Sequence, residues 1–175
     1  MRSVPGNVVL VGFMGAGKSA CGRLLARRLG RCFVETDDMI VGRDGRPIPE
    51  IFRQDGEETF RRLETEAVEA LRLKSDDVIA TGGGLPCREG RMDALRALGT
   101  VVWLRGDLEE LLARARRGGL RPMLEGRSPA ELEALHRARE PYYARAHVTV
   151  DTAGLTIDQV VNRVVAALRE THARV

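Results

Sequence analysis

The chain has 175 residues, enough to bury one core without dividing into domains. Apolar residues make up 43% and charged residues 30%, and 28 basic against 25 acidic groups leave a net charge of only +3, so disorder and a polyanion-coating surface are both argued against. Aromatics at 4% give no base-stacking platform, and no apolar run approaches a membrane span.

Four apolar residues, Val8 to Val11, predict a buried strand. Gly12-Phe13-Met14-Gly15-Ala16-Gly17-Lys18-Ser19 follows, and an amphipathic stretch from Lys18 runs to Leu29, where Gly30 suits a helix C-terminus. Strand, G-x-x-x-x-G-K-[ST] and helix together form a phosphate loop. Its glycines let successive backbone N–H groups turn inward toward phosphate oxygens, and the helix N-terminus adds its positive dipole end. Lys18 would reach the β- and γ-phosphates of a nucleotide, and the Ser19 hydroxyl would ligate Mg²⁺. Only two of the basic residues are lysines, Lys18 and Lys74, so a lysine at this position is selective for a compact ammonium.

Cys32 to Glu35 reads as a second strand ending in acid, and Gly42 to Pro49 as a loop or short helical turn. If the chain stays extended past Glu35, then Glu35 and Asp37 project to the same side. A helix over Glu57–Leu73 places Phe60, Leu63, Ala67, Ala70 and Leu71 on one face, with Arg61 off that stripe and Glu64 able to pair with it. Val78 to Ala80 is a third strand running into Gly82-Gly83-Gly84. A helix over Arg88–Leu98 leads to a fourth strand, Val101 to Leu104, in which Trp103 reads as core. Asp107 caps the next helix, Leu108–Arg117. From Arg117 to Arg127 three glycines, a proline and several arginines suggest a mobile flap. Ser128-Pro129-Ala130-Glu131 restarts helix, Val148 to Val150 is the fifth strand, and Ile157–Leu168 closes the chain.

Strands alternating with helices predict an α/β, doubly wound, five-stranded parallel sheet with helices on both faces. Ligands then bind outside the carboxyl ends of the strands, where Gly12–Ser19, Glu35, Asp37, Gly82–Gly84 and Asp151 all fall. Cys21, Cys32 and Cys87 lack the spacing of a zinc site or a disulfide framework, which fits a reducing, cytoplasmic setting.

These stretches together resemble the shikimate kinases over nearly the whole chain, from Val8 to about Leu168. The phosphate loop with Gly22-Arg23-x-Leu25-Ala26 is similar to the family's opening, and Thr36-Asp37 with Ile40 to its D-[TS]-D-x-x-I segment. Ile51-Phe52, Gly56-Glu57 and Phe60-Arg61-x-x-Glu64 match the most diagnostic stretch. Gly82–Gly84, Arg121-Pro122-x-Leu124 and Arg139-x-Pro141-x-Tyr143 complete the set.

The resemblance implies a single P-loop kinase domain of the nucleoside-monophosphate-kinase type over 1–175, with a substrate-binding segment about 36–64 and a lid about 115–127. It implies ATP-dependent phosphorylation of the shikimate 3-hydroxyl with Mg²⁺, in chorismate and aromatic amino-acid biosynthesis; a monomer is expected, and composition and the lack of a long apolar run point to neither nucleic-acid nor membrane partners. Asp37 would accept the proton, Arg61 and Arg139 would clamp the substrate carboxylate, and Gly83 and Gly84 would lie against the ring. Gly15, Ala16, Gly17, Lys18, Ser19 and Ala20 would cradle the phosphates. Lys18 and Arg121 would balance phosphoryl charge, Arg114 would pack on adenine, and the loop at Asp151-Thr152 would meet its other edge. Ser19 and Glu35 would serve the metal. Two positions depart from the family pattern: Glu35 replaces the usual Asp, and Ala20 replaces a hydroxyl residue. A kinase of gluconate or a nucleoside monophosphate, and a non-catalytic nucleotide sensor, are the competing readings.

Overall fold

The computed structural model describes residues 6–117 and 126–173. Five parallel strands form one sheet in the order β2-β3-β1-β4-β5: β1 (Asn7–Val11), β2 (Phe33–Glu35), β3 (Val78–Ala80), β4 (Gly99–Arg105) and β5 (Val148–Asp151). Val8, Val9, Leu10 and Val11 are wholly buried because β1 is central, with β3 on one side and β4 on the other. Solvent reaches neither face, which is why the strand reads as an unbroken apolar run. β1 and β3 are neighbours, so the phosphate loop and the glycine turn leave the sheet side by side; Thr81 N–H donates to Leu10 O at 3.2 Å.

Helix α1 (Lys18–Leu29) ends at Gly30 in the left-handed conformation, φ 66°, with the cap N–H on Ala26 and Arg27 carbonyls. It packs on α7 (Ile157–Ala173), while α4 (Arg91–Leu98) lies against β1 and β4. A Cβ on Gly22 would stand 2.3 Å from the Phe33 ring, so that glycine sets how closely α1 approaches β2. Asp107 Oδ1 accepts from Glu109 N–H at 3.0 Å at the start of α5 (Leu108–Arg117). Ser128 and Glu131 form the reciprocal cap of α6 (Pro129–Tyr143).

The segment after β2 departs from the sequence expectation. The chain turns at once into α2 (Thr36–Asp44), so Glu35 and Asp37 are not alternate residues of an extended stretch. Asp37 and Asp38 occupy the first turn, where carboxylates favour a helix start. The expected loop over Gly42 to Pro49 shrinks to Gly45, Arg46 and Pro47, because Pro49 sits in the opening turn of α3 (Ile48–Leu71), a position that tolerates proline. Helix α3 joins two helical stretches across a break at Gly56, φ 78° and ψ 179°: the first, from Ile48, was not expected, and the second starts at Glu57 as expected. Ile40, Ile51, Phe60, Leu63 and Ala67 form a small second core between α2 and α3, separate from the main one. The helix expected from Arg88 begins at Arg91, after a 3₁₀ turn at Leu85–Cys87. Most of the expected flap, with Arg121, lies outside the described residues.

Candidate active site

The phosphate loop is shaped by close packing as well as by backbone freedom. A Cβ on Gly15 (φ 77°) would stand 1.9 Å from the Leu111 carbonyl, and one on Gly12 (φ 148°) would stand 2.7 Å from that of Leu104. Ala16 is buried, Gly17 is the left-handed N-cap of α1, and Ala20 is exposed on the helix's first turn. Lys18 Nζ donates to the carbonyls of Gly12 at 2.8 Å and Phe13 at 3.1 Å, which holds the ammonium over the loop.

The glycine turn after β3 gathers the other candidates. A Cβ on Gly82 would stand 2.7 Å from Asp37 Oδ1. On Gly84 it would lie 3.2 Å from Arg139 Nη2 and 3.8 Å from Arg61 Nη1. On Gly83 it would meet Arg139 Nη1 and the Gly12 carbonyl, each at 3.4 Å. Residues from α2, α3 and α6 thus converge on three glycines that abut the phosphate loop. The Arg139 guanidinium also sits 5.6 Å from the centroid of the Phe13 ring, within that loop.

Arg61 is oriented by two carboxylates. Its Nη1 donates to Glu64 at 2.8 Å, and its Nε and Nη2 donate to Glu57 at 3.1 and 2.9 Å. The first pair is no surface ornament, since the Glu64 side chain is only 4% exposed. Burial pushes the Glu64 carboxyl above its ordinary range against the pull of Arg61. Arg88 closes the cluster by donating to Glu57 at 2.5 Å.

Glu35 reaches back to α1: Ser19 Oγ donates to its Oε1, and Arg23 to its Oε2 at 2.8 Å. A hydroxyl and a carboxylate together form a hard-oxygen pair that suits Mg²⁺, which takes few protein ligands and shares the rest with water and phosphate. Among the described residues no group of three or more His, Cys, Asp or Glu could hold a metal by itself. On the far side of the phosphate loop Arg114 donates to Thr152 Oγ1 at 3.2 Å, to the Thr152 carbonyl at 3.0 Å and to Glu110 at 2.5 Å. The loop after β5 and the α5 arginine therefore meet, whereas Asp151 pairs with Arg105 at 2.6 Å on the surface.

Two further residues support the site without having been assigned a role from sequence: Thr36, fully buried, accepts the Gly82 N–H at 3.0 Å, and Tyr143 donates to the Gly83 carbonyl at 2.7 Å. Buried hydroxyls next to Asp37 and one helical turn after Arg139 were the available signal.

The family model for shikimate kinase matches residues 14–169 of the chain. The chain belongs to the shikimate kinase family. A shikimate kinase of Moorella thermoacetica is 46% identical over 166 residues, covering 95% of this chain and 96% of that one. One from Symbiobacterium thermophilum is 46% identical over 172 residues, with 96% and 99% covered. Among solved structures, the shikimate kinase of Acinetobacter baumannii in complex with shikimate superposes with a TM-score of 0.89 at 35% identity, over 96% of this chain and 95% of that chain. This shikimate kinase relative accordingly has the fold expected of it, a five-stranded parallel sheet covered by helices, and none of its described helices is long and apolar enough to cross a membrane.

Proposed function

We propose that this protein transfers the γ-phosphoryl group of ATP to the 3-hydroxyl of shikimate, giving 3-phosphoshikimate and ADP. The observation that carries the assignment is the convergence of Asp37, Arg61 and Arg139 on a glycine turn that abuts the phosphate loop. A phosphate loop alone requires a nucleotide. Two guanidiniums and a carboxylate around a side-chain-free surface describe the second substrate, a flat hydroxylated ring bearing a carboxylate.

In the proposed mechanism the backbone N–H groups of Gly15 to Ser19, with Ala20 continuing α1, hold the ATP phosphates, and Arg114 with Thr152 holds the adenine. Arg61 and Arg139 grip the acceptor carboxylate, fixing the ring against Gly83 and Gly84. Asp37 takes the 3-hydroxyl proton as the oxygen forms its bond to the γ-phosphorus and the bridging P–O bond to ADP breaks. Lys18 balances charge on the transferring group, together with Arg121 from outside the described residues. Ser19 and Glu35 would hold Mg²⁺, which supplies charge neutralisation to the phosphates when bound. The segment 36–64, with its own small core under α2 and α3, is proposed as the part that recognises shikimate.

We further propose that the enzyme acts as a cytoplasmic monomer. An ADP-release assay tests the assignment, with shikimate, gluconate and common nucleoside monophosphates offered side by side. Shikimate alone should drive turnover. ATP binding with no shikimate-dependent ADP release would refute the proposal.

A further inference from the structure

The glycine turn has no side chains with which to hold itself in place, yet the proposed reaction needs its backbone to present a fixed surface. Each peptide of the turn is tied down from outside. Gly82 N–H donates to Thr36 Oγ1 at 3.0 Å, and the Gly82 carbonyl accepts from Leu85 N–H at 3.2 Å. The Gly83 carbonyl accepts from the Tyr143 hydroxyl at 2.7 Å and, more weakly, from Cys87 Sγ at 3.6 Å. Because a peptide is planar and trans, pinning the Gly83 carbonyl also fixes the opposite direction of the Gly84 N–H.

Tyr143 is suited to that task. It is 1% exposed, its ring lies 5.9 Å from that of Trp103, and it stands one helical turn after Arg139 on α6. A Cβ on Gly83 would find Arg139 Nη1 at 3.4 Å and the Tyr143 hydroxyl at 3.7 Å, so clamp and pin share one spot. Burial pushes the phenol well above its ordinary range, which keeps it a neutral donor at every working pH.

We propose that Tyr143 is a positioning residue for the acceptor: its hydroxyl locks the Gly83–Gly84 peptide in the orientation that shikimate requires, and Cys87 assists at the same carbonyl. The inference rests on the shikimate kinase reading and deepens it. Without the hydroxyl, the Gly83 carbonyl keeps only the weaker Cys87 contact, so the peptide is held less firmly and part of its ordering falls to acceptor binding.

Tyr143→Phe keeps the ring and removes only the donor. Loss of one buried hydrogen bond should raise the shikimate Kd and KM about five- to tenfold. The KM for ATP should stay within twofold of the parent enzyme, because the phosphate cradle does not touch this hydroxyl. Kinetics with each substrate varied in turn, calorimetric titration of shikimate, and a thermal melt give the comparison. A shikimate Kd within twofold of the parent value overturns the proposal. So does a parallel rise in both KM values with a lowered Tm, which marks a merely structural hydroxyl. Should Tyr143→Phe fail to fold, Cys87→Ala decides: a rise of about two- to threefold in shikimate KM supports the proposal, and no rise overturns it. A parent enzyme that releases no ADP with shikimate refutes the underlying assignment, whereas an active parent with an indifferent Tyr143→Phe refutes this inference alone.

Discussion

Gly84→Ala separates the acceptor site from the fold. Gly84 has φ −84° and ψ −19°, a conformation open to any L-residue, so alanine fits the backbone without strain. Restricting the unfolded chain should then stabilise by about 0.4–1 kcal/mol. The nearest atom to the new methyl is the tip of Arg139, 3.2 Å away, which can give by a few tenths of an ångström and return part of that gain. Tm should therefore stay level or rise by about 1–3 °C. Catalysis should respond in the opposite sense. The methyl projects toward Arg139 and Arg61 from the surface against which the ring is proposed to lie, displacing the acceptor by about 1 Å or more, and such a shift costs on the order of 10²-fold in rate. Steady-state ADP release with shikimate varied should show kcat/KM reduced by about that factor, with ATP KM unchanged. A variant at least as stable as the parent that keeps near-normal kcat/KM would show that no acceptor rests on this turn. Gly15→Ala is the control, because a Cβ 1.9 Å from the Leu111 carbonyl at positive φ should impair folding itself.

Asp37→Asn should retain ATP affinity while turnover falls by about 10²- to 10⁴-fold; near-normal turnover in single-turnover assays removes Asp37 as the base. Arg61→Lys keeps a cation beside buried Glu64 but loses the planar fork, so folding should hold while shikimate KM rises about tenfold; an unchanged KM argues against the clamp. Arg61→Ala instead strands the Glu64 carboxylate and should cost about 2–3 kcal/mol in urea unfolding, discounted because the guanidinium is partly exposed, and Glu64→Gln in that background should recover much of it. Thermal stability should also depend on His147, whose Nδ1 accepts the Val101 N–H at 3.0 Å and whose pKa is lowered by burial and by Arg96. The neutral ring is favoured in the fold, so the contribution is complete above pH 6.5 and fades as pH falls through the depressed native value. His147→Gln should flatten the decline in Tm below pH 6.5; an identical decline in both proteins shows that His147 does not govern it.

The strands and α1 could be read from sequence because their signals are local: an apolar run, a glycine stop, a proline start. Helix α2 was hidden by Gly42, a residue that costs a helix interior about 1 kcal/mol relative to alanine and so reads as punctuation. Its stability comes from Ile40 packing against Ile51, Phe60 and Leu63, a contact between separate stretches that no periodicity reveals. Arg61 and Glu64 were recognisable as a pair, but their spacing cannot tell an exposed i,i+3 bridge from one whose carboxylate is buried. Only the α2–α3 packing decides that, and with it whether Arg61 is free to sample solvent or held aimed at the glycine turn. The supporting hydroxyls of Thr36 and Tyr143 act on backbone groups 46 and 60 residues away, beyond the reach of any local pattern.

The departure at Glu35 also changes meaning once the strand end is seen. A glutamate in place of aspartate adds one methylene, and in an extended chain that would carry the carboxylate past its target. Here β2 ends at Glu35 and α2 begins at the next residue, so the side chain folds back onto α1, where Ser19 and Arg23 hold one oxygen each. Arg23 is itself placed by Phe33, whose ring centroid lies 4.8 Å from the guanidinium, and Phe33 by the absence of a side chain at Gly22. The longer carboxylate is thus anchored through a contact chain that begins two residues before it in the strand and ends beside the phosphate loop. Ala20 removes a hydroxyl from the exposed side of the same helical turn, where solvent can replace it. Both departures therefore lie on the α1 side of the site, away from Asp37, Arg61 and Arg139.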